Sequence, residues 1–436
     1  MSLVTWLEEH ARPRWLTNEG PKPGIYHYQR RHEDWITRFH LRVDPDGGGL
    51  LLANAAEAAY LSPVGVQMAK DLLEKRLDVE IMAKIHQRFH GAEPGQMEAD
   101  LAALRHIIED LALPGDNYPI TNLQDPRTGE RGRKLRAPFR ADLVQGDPET
   151  AKALLAKLWE IGIPHVTFLA QPGAPAADLP VLVQAASDTE MISGVRAVAS
   201  WLNPPLIQEL HDAGLDHLDL LYVSADAALH DGLTATGDHA AAEAAFAQCA
   251  DVRLCPMAEV PLCAANVTGL RGTIAALLAQ EVTNLSFFAL ACPDEDQAST
   301  QAGALPARAI PQVALTLTEA SEEQGARYLW APPVRFDAKK TLAEQAQAGP
   351  RAAGDIAIRV EADGSVYPAR GPRDCTGNLR TSAWEEIWSH DCFARYRGRL
   401  EQPKRCPACP DLPICQADCP QDPEAWSDDS QEGEAQ

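Results

Sequence analysis

FRADLVQGDPETAKALLAKLWEIGIPHVTFLA, residues 139–170, decides the fold. FRADLV and HVTFLA are short apolar runs of strand character, and PETAKALLAKLWEIG between them has the period of a helix that ends at Gly162. The same alternation continues outward. DLPVLVQAA, PPLIQELHDAG, DHAAAEAAFAQCA and RGTIAALLAQE read as helices, and SGVRAVAS, HLDLLYVS, DVRLCPMAEV and LSFFALA as strands. Strand–helix alternation of this kind predicts parallel strands with crossover helices, so residues 137–335 are expected to form an α/β barrel or part of one. Functional groups of such a sheet belong at the C-terminal ends of its strands.

Residues 1–34 show no clear period and are taken as an N-terminal extension. Residues 35–112 read as a separate α+β unit: FHLRV, GLLLAN and AAYLS as strands, then three helical patterns. Ser62-Pro63 opens the first of these helices, and Leu101, Leu104, Ile108 and Leu111 mark one face of the third. Prolines and glycines break any pattern over 113–136, a linker. Residues 340–424 hold a hairpin, IAIRVEADGSVYPA, turning at Asp363-Gly364, then a Trp-rich helix and a cysteine cluster. The acidic tail 425–436 is expected to be disordered.

The chain has 436 residues and a formal net charge of −23, a field that repels nucleic acid and anionic lipid. Residues 64–91 carry five Lys/Arg against four Asp/Glu, so the N-terminal unit has no basic stripe for DNA. No apolar run approaches the roughly 20 residues needed to span a bilayer, and MSLVTWLEEHARPRW has no signal-peptide core, so a cytoplasmic location is expected. In that compartment the ten cysteines should be thiols or metal ligands.

Their placement is uneven, with none before Cys249. Cys406, Cys409, Cys415 and Cys419 form a CX2CX5CX3C string with prolines at 407, 410, 413 and 420. Prolines reduce the entropy lost when such a loop closes on a metal, and four thiolates suit zinc or a [4Fe-4S] cluster equally. Cys255, Cys263 and Cys292 lie on or just after predicted strands; they could join His165 in a second metal site, although buried cysteines more often serve as small core residues. His211, His217 and His230 are expected in surface or capping roles, and Asp226 and Asp231 as helix caps.

The string, preceded by GSVYPA, GNL, WEEIW and a Cys-Phe-Ala-Arg-Tyr-Arg segment, resembles the SPASM domain of radical-SAM peptide maturases. The region from APFRADL onward is similar to the partial barrel of that family. Residues 35–112 resemble the pyrroloquinoline-quinone-type peptide chaperone, a small winged-helix recognition domain. The resemblance implies a precursor (leader) peptide as partner. An extended peptide would add to the strand around Ala59, Tyr60 and Leu61, beside apolar pockets from Leu101, Leu104 and Ile108.

Departures from the family pattern shape the expected function. The first barrel strand should run into CxxxCxxC, yet RADLV continues as QGDPETAKALLAKL. Where the family has GGEP, Phe168 is followed by Leu169, Ala170, Gln171, Pro172 and Gly173. No canonical radical-SAM cluster is expected, nor S-adenosylmethionine binding. Ala369 and Ser382 replace two further family cysteines, which implies one C-terminal metal site, [4Fe-4S] or zinc, with Cys375 as substitute ligand. The expectation is a pseudoenzyme that holds a peptide for an active radical-SAM maturase. The alternatives are an iron–sulfur redox component, or an enzyme with a new metal site in the barrel mouth.

Overall fold

The first unit opens with a four-stranded sheet. Strands β1 (Gly24–Arg31), β2 (Ile36–Val43), β3 (Gly49–Ala53) and β4 (Glu57–Leu61) form an antiparallel meander in chain order. The β2–β3 turn demands its glycines: a Cβ on Gly49 would lie 2.2 Å from the Arg42 carbonyl oxygen. Three helices follow: α1 (Pro63–Leu73), α2 (Asp78–Arg88) and α3 (Pro94–Ala112). Ser62 caps α1 by accepting from the Gly65 N–H at 3.2 Å. Buried Asp71 on α1 accepts from Gln67 Nε2 and from Lys84 Nζ on α2, 2.8 and 2.7 Å away, tying the two helices. Phe39, Leu41, Leu51, Val66, Met68, Ile81 and Ile85 are among the residues of the core.

The computed structural model describes residues 20–32, 36–54, 57–89, 94–113, 136–293, 303–352, 356–368 and 375–394. The chain divides into two units, Met1–Leu123 and Gln124–Gln436. Most of the expected linker and all of the acidic tail lie outside the described residues. The extension expected over residues 1–34 is corrected in its second half: β1 pairs along its whole length with β2, so the sheet gains a fourth strand.

In the second unit β5 (Arg140–Val144), β6 (His165–Leu169), β7 (Ile192–Ala197), β8 (His217–Leu221), β9 (Cys255–Leu262) and β10 (Asn284–Cys292) are parallel neighbours in strict chain order. Right-handed crossovers in a sequential sheet place all connecting helices on one face. These are α4 (Pro148–Ile161), α5 (Asp178–Asp188), α6 (Pro204–Asp212), the pair α7 (Ala227–Thr234) and α8 (His239–Val252), and α9 (Leu270–Ala279). Leu143, Phe168, Leu218, Val260 and Phe287 pack on that face against Leu154, Leu182, Leu210, Phe246 and Leu277 of the helices.

Beyond β10 come β11 (Leu305–Pro306), α10 (Ile310–Gln324), β12 (Arg327–Trp330), β13 (Val334–Arg335) and α11 (Leu342–Gln347). The chain then returns to the opposite edge, where β14 (Ala357–Val360) pairs parallel with β5. The expected hairpin forms between β14 and β15 (Ser365–Tyr367), with Gly364 at φ +93° in its turn; β16 (Gly377–Asn378) and α12 (Trp384–Ser389) follow. No helix among the described residues is long and apolar enough to cross a membrane.

Candidate functional site

The strand sequences GVRAV, HLDLL and AEVPL each carry one acidic or guanidinium charge among apolar residues, and RADLV carries two, Arg140 and Asp142. With a side-chain period of two, each charge falls on the sheet face turned away from the helices. Register aligns them: Asp142, Thr167 and Gly194 are successive partners, Arg196 pairs with Asp219, and Leu221 with Glu259. The result is a dry ionic row. Arg196 Nε lies 2.9 Å from Glu259 Oε2, its Nη2 3.6 Å from Asp219 Oδ2 and its Nη1 3.9 Å from Asp142 Oδ2; Arg140 Nε is 3.0 Å from Asp142 Oδ1.

Three carboxylates face two guanidiniums, and Glu259 bears the imbalance. Burial, with Asp219 and Asp142 adding to it against Arg196 and Arg140, pushes its carboxyl up to about 7. Proton exchange on Glu259 therefore falls at neutral pH, in a group only 1% exposed. The residue reading of the sequence singled out none of these five strand charges; charged residues recurring inside otherwise apolar strands β5, β7, β8 and β9 were the available signal.

Two histidines extend the row. His217 Nδ1 donates to Asp219 Oδ1 at 2.6 Å, and its Nε2 meets His165 Nε2 at 2.9 Å, so one proton lies between the two rings. The His217 ring crosses β7 to reach β6, over Gly194, where a Cβ would come within 2.0 Å of it. Gly194→Ala should swing the ring away and break the imidazole pair, destabilising the protein by about 1–2 kcal/mol. Urea unfolding measures the loss, and loss of the shared-proton resonance by NMR assigns it to the pair.

Thus His217 is buried, not a surface or capping group. His230 is also fully buried: its Nδ1 accepts from the Val223 N–H at 3.2 Å, and its Nε2 donates to Asp238 Oδ1 at 3.1 Å. His230, Asp231 and Asp238 offer ligand atoms within 4.8 Å of one another, but both His230 nitrogens are engaged in protein hydrogen bonds. His211 is part-exposed and sits on Asp212 at 3.1 Å, while Asp226 caps α7 by accepting from the Leu229 N–H at 3.0 Å, both as expected.

A metal site uniting Cys255, Cys263, Cys292 and His165 is ruled out by topology. Cys255 and His165 begin their strands, whereas Cys263 follows β9 and Cys292 ends β10. Eight residues of strand separate Cys255 from Cys263, about 26 Å. Burial, helped by nearby Asp219, raises the Cys255 thiol to about 11, so it is no thiolate at neutral pH.

The C-terminal ends of β5 and β6 are built from polar backbone and amides. Only Gln145, Gly146 and Asp147 separate β5 from α4. Asp147 caps the helix by accepting from the Thr150 N–H at 2.8 Å. Gln145 donates to the Pro175 carbonyl at 2.9 Å and accepts from the Gln171 N–H at 3.2 Å, joining this loop to the one after β6. Gly146 is pressed against the β14–β15 turn: a Cβ there would lie 2.6 Å from Ala362 Cβ. The loop presents no sulfur donor, so the residues at this position do not fit an iron–sulfur cluster.

Cys406, Cys409, Cys415 and Cys419 lie outside the described residues. Cys375 is exposed and donates to the Gly377 carbonyl at 3.2 Å, and Ser382 accepts from the Asn378 N–H at 3.3 Å. In the first unit, β4 is an end strand, with Ala59 and Tyr60 half-buried and Leu61 buried. Leu101, Leu104 and Ile108 do not line open pockets: they are buried in the core, because the apolar face of α3 is the one that packs on α1.

Residues 352–411 match the family model of SPASM, an iron–sulfur cluster-binding domain. No curated protein gives a significant sequence match. Among solved structures, SuiB of Streptococcus suis superposes with a TM-score of 0.54 at 10% identity, covering 84% of this chain and 90% of SuiB. SuiB bound to its precursor peptide SuiA gives the same TM-score and identity over 85% of this chain and 90% of SuiB. The anSMEcpe structure with bound AdoMet and a Cp18Cys peptide matches at a TM-score of 0.50 and 12% identity, over 67% of this chain and 93% of anSMEcpe. Over most of its length this chain has the fold of SuiB and anSMEcpe, and its segment 352–411 is similar to the SPASM iron–sulfur cluster-binding domain.

Proposed function

We propose that this protein binds a precursor peptide through its N-terminal unit and serves an active maturase as a non-catalytic partner. The observation that carries this reading is the three-residue β5–α4 connection, which has no thiolate and is closed by the Gln145–Gln171 contact. Iron needs thiolate ligands to be held as a cluster, so reductive cleavage of S-adenosylmethionine has no starting point here. Peptide binding is supported by SuiB, whose fold match covers more of this chain than the second unit supplies and which has been solved with its precursor peptide. The peptide would pair with the outer edge of β4 at Ala59, Tyr60 and Leu61; the burial of Leu101, Leu104 and Ile108 leaves main-chain pairing as the main source of affinity.

A second reading follows from the SPASM match: Cys406, Cys409, Cys415 and Cys419, with Cys375 as a further donor, hold one metal centre, a [4Fe-4S] cluster or zinc, and the cluster form would carry electrons. Anaerobic reconstitution with iron and sulfide separates these readings. The expected product has one centre per chain, lost in a Cys406→Ser/Cys409→Ser variant, and forms no 5′-deoxyadenosine with S-adenosylmethionine and dithionite. Formation of 5′-deoxyadenosine would refute the non-catalytic assignment. Tyr60→Pro, which removes a β4 donor, should weaken binding of a fluorescent leader peptide by about tenfold or more.

A further inference from the structure

A pair of imidazoles joins β6 to β8 across β7. His165 begins β6 and His217 begins β8. Both side chains are nearly dry, 1% and 5% exposed, and their Nε2 atoms face each other at 2.9 Å. Asp219 Oδ1 accepts from His217 Nδ1, which leaves the lone pair of His217 Nε2 directed at His165. A carboxylate behind one ring nitrogen is the arrangement that orients a histidine as a metal ligand and raises its basicity.

Charge favours a cation at this place. Asp219 is both the partner of His217 and a member of the ionic row, in which Asp142, Asp219 and Glu259 outnumber Arg140 and Arg196. Glu259 Oε1 is buried with no hydrogen-bond partner among the described residues. A buried surplus of one negative charge is costly unless a positive charge lies near it.

The donor count selects the kind of cation. Among the described residues no third histidine, cysteine or carboxylate joins the two nitrogens in a ligand group. Zinc takes four ligands, and calcium or magnesium takes oxygens. Two imidazole nitrogens in line suit a closed-shell monovalent ion, copper(I) or its redox-inert analogue silver(I). Two metal–nitrogen bonds of roughly 2 Å each need the nitrogens about 4 Å apart, so the rings must part by about 1 Å. Gly194, under the His217 ring, has no side chain to stop the ring sliding.

We propose that His165 and His217 form a two-coordinate site for a soft monovalent cation, which takes the place of the proton between their Nε2 atoms. His165 keeps that proton by passing to its Nδ1 tautomer, so the ion brings its full charge to the row. This goes beyond the peptide-partner reading and does not depend on it.

Silver nitrate titrated into the full chain with 15N-labelled histidine, read by NMR, tests the site. Silver held on thiols leaves the imidazole signals in place, so the titration runs past ten equivalents, one per cysteine. The His165 and His217 Nε2 resonances should move together, with loss of the shared-proton resonance, and zinc at the same ratio should move neither. In His165→Gln the His217 Nε2 should no longer respond to silver. In Cys255→Ser, which alters the register partner of His217, the response should persist. Unmoved Nε2 resonances in the wild type would overturn the proposal, as would an equal response to zinc. A His217 response that survives His165→Gln would deny the bridge, and one that vanishes in Cys255→Ser would put the ion on sulfur; either result also overturns it.

Discussion

Arg196→Met should destabilise the second unit by about 3–5 kcal/mol, because it strands buried carboxylates without their shared cation. Arg196 touches Glu259, Asp219 and Asp142 from three different strands, and all four groups are nearly dry. Methionine fills similar volume, so the loss measures charge and not a cavity. The check is the urea midpoint followed by tryptophan fluorescence. Adding Glu259→Gln should restore about 0.5–3 kcal/mol of the loss, since one stranded charge is removed. A single variant as stable as wild type would show that the row is already neutralised by protons.

Glu259→Gln alone should change how stability depends on pH. The Glu259 carboxyl is raised from the ordinary 4.5 to about 7, first by burial. Between these values the folded chain keeps a proton that the unfolded chain has released. Stability therefore falls as pH rises through this window, by at most about 1.4 kcal/mol per pH unit, and the cost stays constant above it. Glutamine cannot titrate and lacks this cost. The stability of the variant relative to wild type should rise from pH 4.5 to 7 and level off beyond. Chemical unfolding at half-unit pH steps gives the curve; a flat difference would mean that Glu259 is ionised throughout.

Much of the fold was written in local pattern. The strand–helix alternation from Phe139 to Cys292, the cap at Asp226 and the turn at Asp363-Gly364 all form where periodicity and turn chemistry place them. β1 escaped because GIYHYQRR has little apolar alternation; its strand state depends on pairing with β2, which is a tertiary fact. The face of α3 at Leu101, Leu104 and Ile108 was legible as a stripe, but periodicity does not say whether a stripe meets the core or a ligand. The ionic row was the largest omission. Asp142, Arg196, Asp219 and Glu259 are far apart in sequence, and each alone looks like the polar half of an ordinary strand. Only register brings them into contact. His217 was hidden for a related reason: its path depends on an atom that Gly194 lacks.

The tight joint at Gly146 sets a condition on anyone who would rebuild this protein. Its bare α-carbon is where the hairpin carrying Ala362 rests, and that hairpin leads into the cysteine-rich end of the chain. Grafting a longer, ligand-bearing loop between β5 and α4 would lever the hairpin off its seat, so the two ends of this unit have to be redesigned together.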